Sequence, residues 1–153
     1  MAGVISARVR NDIPEGFKQI KLEPSFASSN GPMFWRDDPA DGGALFGMYI
    51  DARHCNPLGK CHGGWIATFF DMVLPLTGRF TIPEFEERFL LTISLNIDYL
   101  GPVEKGDWLL GKARVLKKTK RLVFVEGVLS VNGEIMARAN TVLRSGPEGV
   151  ALR

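Results

Sequence analysis

Cysteine is scarce in this sequence, with two in 153 residues. That is too few for the disulfide framework of a small secreted domain, so both are expected as reduced thiols. No stretch reaches the ~18 uninterrupted apolar residues of a membrane span. Neither sign of charge prevails: 19 Lys and Arg stand against 17 Asp and Glu, a net +2. With the basic residues dispersed, this excludes an extended nucleic-acid-binding face. The opening "MAGVISARVRND" lacks the apolar centre of a secretory leader, which predicts a cytoplasmic protein with no membrane partner. Internal repeats and low-complexity segments are also missing. What is present is 45% hydrophobic and 24% charged residues, the balance of one globular domain with a full core.

The pattern along the chain divides into a leading segment, a hairpin, one long apolar segment and a run of strands. Residues 1–31 form an N-terminal extension in which "PEGFKQIKL", opened by Pro14 and closed before Pro24, predicts a short helix; "SSNGP" reads as a turn. The main domain, 32–146, starts with "MFWRDDPADGGALFGMYID", two strands about a Pro/Asp/Gly turn. The loop "ARHCNPLGKC" then leads to a helix from about Gly63 to Phe80. "LLTISLNIDYLGP" alternates strictly, predicting Leu91, Ile93, Leu95, Ile97 and Tyr99 on a buried face and Thr92, Ser94, Asn96 and Asp98 on the other. "DWLLGKARVLKK", "RLVFVEGVLSV" and "GEIMARANTVL" supply three more strands. Their turns fall at Thr119-Lys120 and at Asn132-Gly133, the latter a tight-hairpin signal. Residues 147–153 are a tail.

The helix is apolar over well over half its circumference, through Trp65, Ile66, Phe69, Phe70, Met72, Val73, Leu74 and Leu76. Such a helix is one the rest of the protein wraps around. The expected fold is therefore α+β, an antiparallel sheet curled about a single long central helix. Ala67, Thr68, Asp71, Pro75 and Gly78 share an arc of about 100°, a stripe of small residues around one carboxylate. An unpaired carboxylate on a core helix is costly, so Asp71 requires a partner or a task. Pro75 removes the N–H that would bond the carbonyl of Asp71, which predicts a kink.

The start of this helix has donors to offer. Gly63 and Gly64 leave backbone N–H groups free and allow close approach, and a helix N-terminus favours developing negative charge. Asn56, on the loop before it, adds a side-chain amide to bind a carbonyl or orient a water. Asp71 lies eight residues beyond Gly63, about 12 Å along the axis, too far for both to act on one carbonyl. A second subunit with its helix roughly antiparallel alongside would bring its own Asp71 to this Gly63, so the spacing argues for a composite site in a symmetric dimer.

"NPLGKCHGGWIATFFD", with Asn, then His-Gly-Gly six residues on and Asp nine past the histidine, resembles the signature of hotdog-fold acyl-CoA thioesterases. The likeness is to the phenylacetate-degradation subfamily of the 4-hydroxybenzoyl-CoA thioesterase superfamily. It spans roughly Gly43 to Leu143 and includes "IDYLGPVEKGD". It implies the hotdog fold, a homodimer or a dimer of dimers, an acyl-CoA substrate and no cofactor. It also implies that Gly63 N–H polarises the thioester carbonyl and that Asn56 lies near that carbonyl or the attacking water. Asp71 of the partner subunit would act as base or nucleophile, and Thr92 would hold the water and carboxylate. His62 and Gly64 would support this end, His62 by buttressing the loop, since a cation at a helix N-terminus is disfavoured. Lys120 and Arg121, within "KKTKR", would meet coenzyme A phosphates, and Trp65 would narrow the acyl pocket.

Other readings stand beside this one. Asp71 can be a structural ion partner, Asn56 a turn former before Pro57, Gly63-Gly64 a plain turn, Thr92 a solvent-facing strand residue, Trp65 core, and "KKTKR" a charged hairpin. His54, Cys55, Cys61 and His62 fall within nine residues, but five separate the cysteines, where structural zinc sites use about two to four. No metal site is expected. At the level of function, a non-catalytic acyl-CoA binding domain on the same fold is the alternative. An acyl-thioester hydratase fits less well, because it needs a histidine presented beside the acyl chain.

Overall fold

The computed structural model describes residues 12–149. Seven strands form one antiparallel sheet: β1 (Lys18–Gln19), β2 (Phe34–Asp38), β3 (Gly43–Tyr49), β4 (Arg88–Tyr99), β5 (Trp108–Lys118), β6 (Leu122–Val131) and β7 (Glu134–Glu148). They lie in the order β1-β2-β3-β5-β6-β7-β4. A five-residue helix, α1 (Phe26–Asn30), precedes β2, and the 19-residue α2 (Gly63–Thr81) joins β3 to β4. The sheet curls about α2, which touches β3, β4, β5, β6 and β7. This is the hotdog arrangement, as the two apolar periodicities require. Among the described residues no helix is long and apolar enough to cross a membrane.

Phe69, Phe70, Val73 and Leu74 of α2 are wholly buried against Phe46, Leu109, Leu129 and Leu143 of the sheet. At about 25 cal/mol per Å² of apolar surface, burial of these side chains is what holds the helix in the sheet. Close approach depends on two sheet glycines. A Cβ at Gly111 would stand 3.0 Å from a Val73 methyl, and one at Gly127 3.0 Å from a Leu74 methyl. α2 runs unbroken through Pro75. The β6–β7 hairpin turns at Asn132 (φ 49°) and Gly133 (φ 83°), the left-handed pair expected of Asn-Gly.

Four expectations need correction. The helix expected over "PEGFKQIKL" is absent: Gly16 takes φ +83° in a turn, and the chain then extends as β1 to pair with Trp35 and Phe34. Phe17 is drawn onto Trp108, with ring centroids 5.2 Å apart, and this tertiary contact outweighs a weak local preference. The helical turn falls instead at Phe26–Asn30 and overlaps the first three residues of the expected "SSNGP" turn. There Ser25 and Ser28 cap each other reciprocally, Ser25 N–H to Ser28 Oγ at 2.8 Å and Ser28 N–H to Ser25 Oγ at 3.4 Å. β7 also runs on to Glu148, so the sheet takes in the first two residues read as tail.

The fourth correction positions the site. β4 does not keep one alternation along its length. Thr92 pairs with Leu143 but Ser94 pairs with Val142, so Ile93 is an extra residue, a β-bulge. A bulge shifts the phase of the side chains by one. Before it, Leu90 and Thr92 face α2; after it, Leu95, Ile97 and Tyr99 do, opposite the buried Thr141, Ala139 and Ala137. Leu91 and Ile93, expected in the core, turn outward and are 44% and 59% exposed.

Candidate active site

The bulge brings Thr92 to Asp71. Thr92 Oγ1 donates to Asp71 Oδ1 at 2.6 Å, a short bond as expected for a charged acceptor. Asp71 is exposed on the side of α2 where Ala67, Thr68 and Pro75 are only half-buried, so the small-residue stripe is open around the carboxylate. The far end of the stripe is closed: Gly78 lies beneath Leu90, and a Cβ there would come within 2.8 Å of a Leu90 methyl.

The other group of residues gathers at the N-terminus of α2. Asn56 Oδ1 accepts from the N–H groups of Leu58 (3.0 Å) and Lys60 (3.1 Å), and Asn56 N–H donates to the Lys60 carbonyl at 2.8 Å. Asn56 is thus a turn former through its oxygen. Its amide Nδ2 makes no hydrogen bond among the described residues and is left to donate elsewhere, so the two readings of Asn56 fall on different atoms. His62 caps the helix: its Nδ1 accepts from Gly64 N–H at 2.9 Å, which puts the proton of a neutral ring on Nε2. Gly63 N–H has no partner among the described residues.

Both glycines sit in close contacts. A Cβ on Gly63 would stand 3.3 Å from the Tyr99 ring, and one on Gly64 would stand 3.1 Å from His62 Nδ1. Tyr99 Oη–H donates to the Gly63 carbonyl at 2.8 Å. The turn that follows β4 holds the same loop from outside. Cys61 N–H bonds the Val103 carbonyl at 2.7 Å, Lys105 N–H bonds the Gly59 carbonyl at 3.1 Å, and Lys60 pairs with Glu104. Sequence reasoning missed Tyr99, because nothing local distinguishes it from the apolar residues with which it alternates.

The remaining candidates separate. Trp65 is buried, 7% exposed, with its ring stacked on His54 at 4.4 Å. His54 is itself buried, which lowers its pKa below the ordinary histidine value. Its Nδ1 accepts from Asp51 N–H and its Nε2 meets the Asn30 carbonyl, both at 2.9 Å, so neither nitrogen is available as a ligand. Among the described residues no three His, Cys, Asp or Glu side chains gather to hold a metal. Burial raises the pKa of Cys61 to about 12 and also raises that of Cys55, leaving little thiolate to act as nucleophile at neutral pH. Lys120 and Arg121 are exposed on the β5–β6 turn. Register places this turn near Thr92 rather than Gly63, because Leu122 and Leu91 both pair with Arg144.

A groove of about 1210 Å³ lies away from all of these groups. Ion pairs of Arg114 with Glu126, Arg138 with Asp98, and Lys112 with Asp38 and Asp41 run along its walls. Its charges are spent on each other.

Comparison with known proteins bears on these groups. A family model described as the thioesterase superfamily matches residues 58–134. A Pseudomonas aeruginosa protein described as a "putative esterase" is 30% identical over 131 residues, covering 86% of this chain and 96% of that protein. Human acyl-coenzyme A thioesterase 13 is 29% identical over 103 residues, covering 65% of this chain and 70% of the relative. A solved structure from Ralstonia eutropha, described as a phenylacetic acid degradation-related protein, superposes with a TM-score of 0.69 at 25% identity, covering 81% of this chain and 92% of that one. The matched segment of this chain begins in the Asn56 loop, contains α2 with Gly63 and Asp71, and runs on past Thr92 and Tyr99. The chain belongs to the thioesterase superfamily, as a hydrolase of the hotdog fold.

Proposed function

We propose that this chain is an acyl-CoA thioesterase whose site is completed by a second copy of itself. One observation carries the reading. Asp71, bonded by Thr92 of β4, and the free N–H of Gly63 lie on one helix, eight residues apart, about 12 Å along the axis. In the single chain Asp71 is exposed and Gly63 is only half-buried. β4, which touches both, is a 12-residue edge strand with a single strand neighbour. Long edges are covered in stable proteins. A two-fold axis beside β4 would cover this one and set the helices antiparallel, so that each Gly63 faces Asp71 of the partner subunit.

In that arrangement Gly63 N–H and Asn56 Nδ2 receive the thioester oxygen, and the N-terminal end of the helix dipole favours the charge it acquires. Asp71 of the partner subunit, oriented by Thr92, takes a proton from water as its oxygen attacks the carbonyl carbon. The tetrahedral adduct collapses with cleavage of the C–S bond, and the departing thiolate recovers the proton. Direct attack by the carboxylate is the other route, and single turnover in H₂¹⁸O separates the two by placing the label in the product or in the protein. His62 and Gly64 hold the donor end, and Lys120 and Arg121 meet the phosphates of coenzyme A. Trp65, beneath the first helical turn, bounds the acyl end. A pair of dimers is the proposed full assembly. Support for the substrate class comes from the acyl-coenzyme A thioesterase relative and from the identity of the residues at both ends of the site.

Purified protein offered aryl, short, medium and long acyl-CoAs should release free thiol, and Asp71→Ala should lower this by about 10³-fold or more without loss of fold. Mixing inactive Asn56→Ala and Asp71→Ala chains should restore part of the activity, because one of the two sites in each mixed dimer is intact. Mixed dimers that form and stay inactive would overturn the shared site. Tight acyl-CoA binding without thiol release would favour the non-catalytic binding domain.

A further inference from the structure

The structure assigns to Tyr99 a positioning role at the carbonyl-polarising end of the site; this inference rests on the thioesterase reading above. A Gly-Gly dipeptide at a helix start is the least constrained backbone available, yet an oxyanion donor must be held still to be useful. The peptide joining Gly63 to Gly64 is gripped at both of its polar atoms by side chains. Its carbonyl accepts from Tyr99 Oη–H at 2.8 Å, and its N–H donates to His62 Nδ1 at 2.9 Å. Two bonds at opposite ends of one planar unit fix its orientation. That unit begins at the Cα of Gly63, whose own N–H is the free donor.

The Tyr99 ring adds a steric limit, lying where a Gly63 Cβ would be 3.3–3.5 Å from its Cε1, Cζ and Oη. The hydroxyl is not required for packing. Tyr99 is 53% exposed, and three backbone bonds and two further pairings already hold the loop: Cys61 to Val103, Lys105 to Gly59, His62 to His54, and the Lys60–Glu104 and Cys55–Cys61 bridges. What the hydroxyl adds is orientation at a single peptide. Strict alternation along β4 already turns Tyr99 toward α2 together with Leu95 and Ile97. The bulge at Ile93 is what lets even-numbered Thr92 face the same helix at Asp71, so one strand reaches both ends of the site.

Tyr99→Phe keeps the ring over Gly63 and removes the donor. Wild type, Tyr99→Phe and Asp71→Ala are compared by thiol release from the best acyl-CoA, by melting temperature, and by amide exchange at Gly64 in ¹⁵N-labelled protein. The expected result is a fall in kcat of about three- to tenfold, the rate equivalent of one neutral hydrogen bond. KM should stay within about twofold, the melting temperature should be unchanged, and Gly64 should exchange faster. A wild-type kcat, or Gly64 exchange at the wild-type rate, would overturn the inference. So would a loss confined to KM and melting temperature, which marks a merely structural tyrosine. If the wild type shows no Asp71-dependent thiol release, the thioesterase reading itself has failed, and the positioning role falls with it.

Discussion

Thr92→Val offers a clean test of how the carboxylate is held. Valine has nearly the shape of threonine and suits a strand, so β4 and its pairing with Leu143 are preserved while the Oγ1–H is lost. In the single chain Thr92 and Asp71 are both exposed, where such a bond contributes about 0.5 kcal/mol or less to folding after solvent screening. For a chain of this size that shifts the melting temperature by only about 1–2 °C. In the proposed dimer site the same bond would fix the carboxylate assigned to attack or proton removal, out of bulk water, where a hydrogen bond to a charged group is worth about 1.5–3 kcal/mol. At about 1.4 kcal/mol per factor of ten, kcat should fall by roughly 10- to 100-fold, with KM little changed. The assay is initial-rate thiol release over a range of acyl-CoA concentrations, with a melting curve for each protein. A kcat within twofold of wild type would refute the argument. So would a melting temperature lowered by about 5 °C or more, which would make Thr92 a fold residue.

Gly64→Ala should disturb the helix cap, because its Cβ would stand 3.1 Å from His62 Nδ1. The expected cost is about 1 kcal/mol of stability, read by urea denaturation, together with a loss of activity larger than that of Tyr99→Phe. The buried Cys61 thiol, with its pKa raised to about 12, should resist alkylation at pH 8 in the folded protein and react at once in denaturant. The same shift predicts a pH dependence. The protonated thiol favours the folded state, so its contribution is fully present below the unfolded value near 9.0 and is lost as pH rises from there toward about 12. Cys61→Ala should flatten that alkaline decline in melting temperature; an unchanged decline would assign it to other groups.

The geometry of the proposed donor end was legible residue by residue because it is local. Asn56, His62, Gly63 and Gly64 fall within nine consecutive positions, and each helps its neighbours form a turn or a cap. The spacing of Asp71 from Gly63 was legible too, since helical rise converts residue number directly into distance. The partner of Asp71 was not. Thr92 lies 21 residues away in sequence, and only the resemblance to known enzymes pointed to it; strict alternation would have set it on the face opposite Leu91, away from the helix.

The amino-acid sequence by itself determined the central helix, the antiparallel strands around it, the Asn-Gly hairpin and the glycine-rich entry to α2. Periodicity, turn preference and capping act over a few residues and are therefore written locally. Tertiary structure alone decided the bulge at Ile93, which depends on how β4 registers against β7 and not on the pattern within β4. It also decided the extension of residues 17–19, where a ring contact with Trp108 prevailed over local preference. From that one shift in phase follow the exposure of Leu91 and Ile93 and the bond from Thr92 to Asp71 on the same face from which Tyr99 reaches Gly63. In a strand, moving the register by one residue exchanges its two faces.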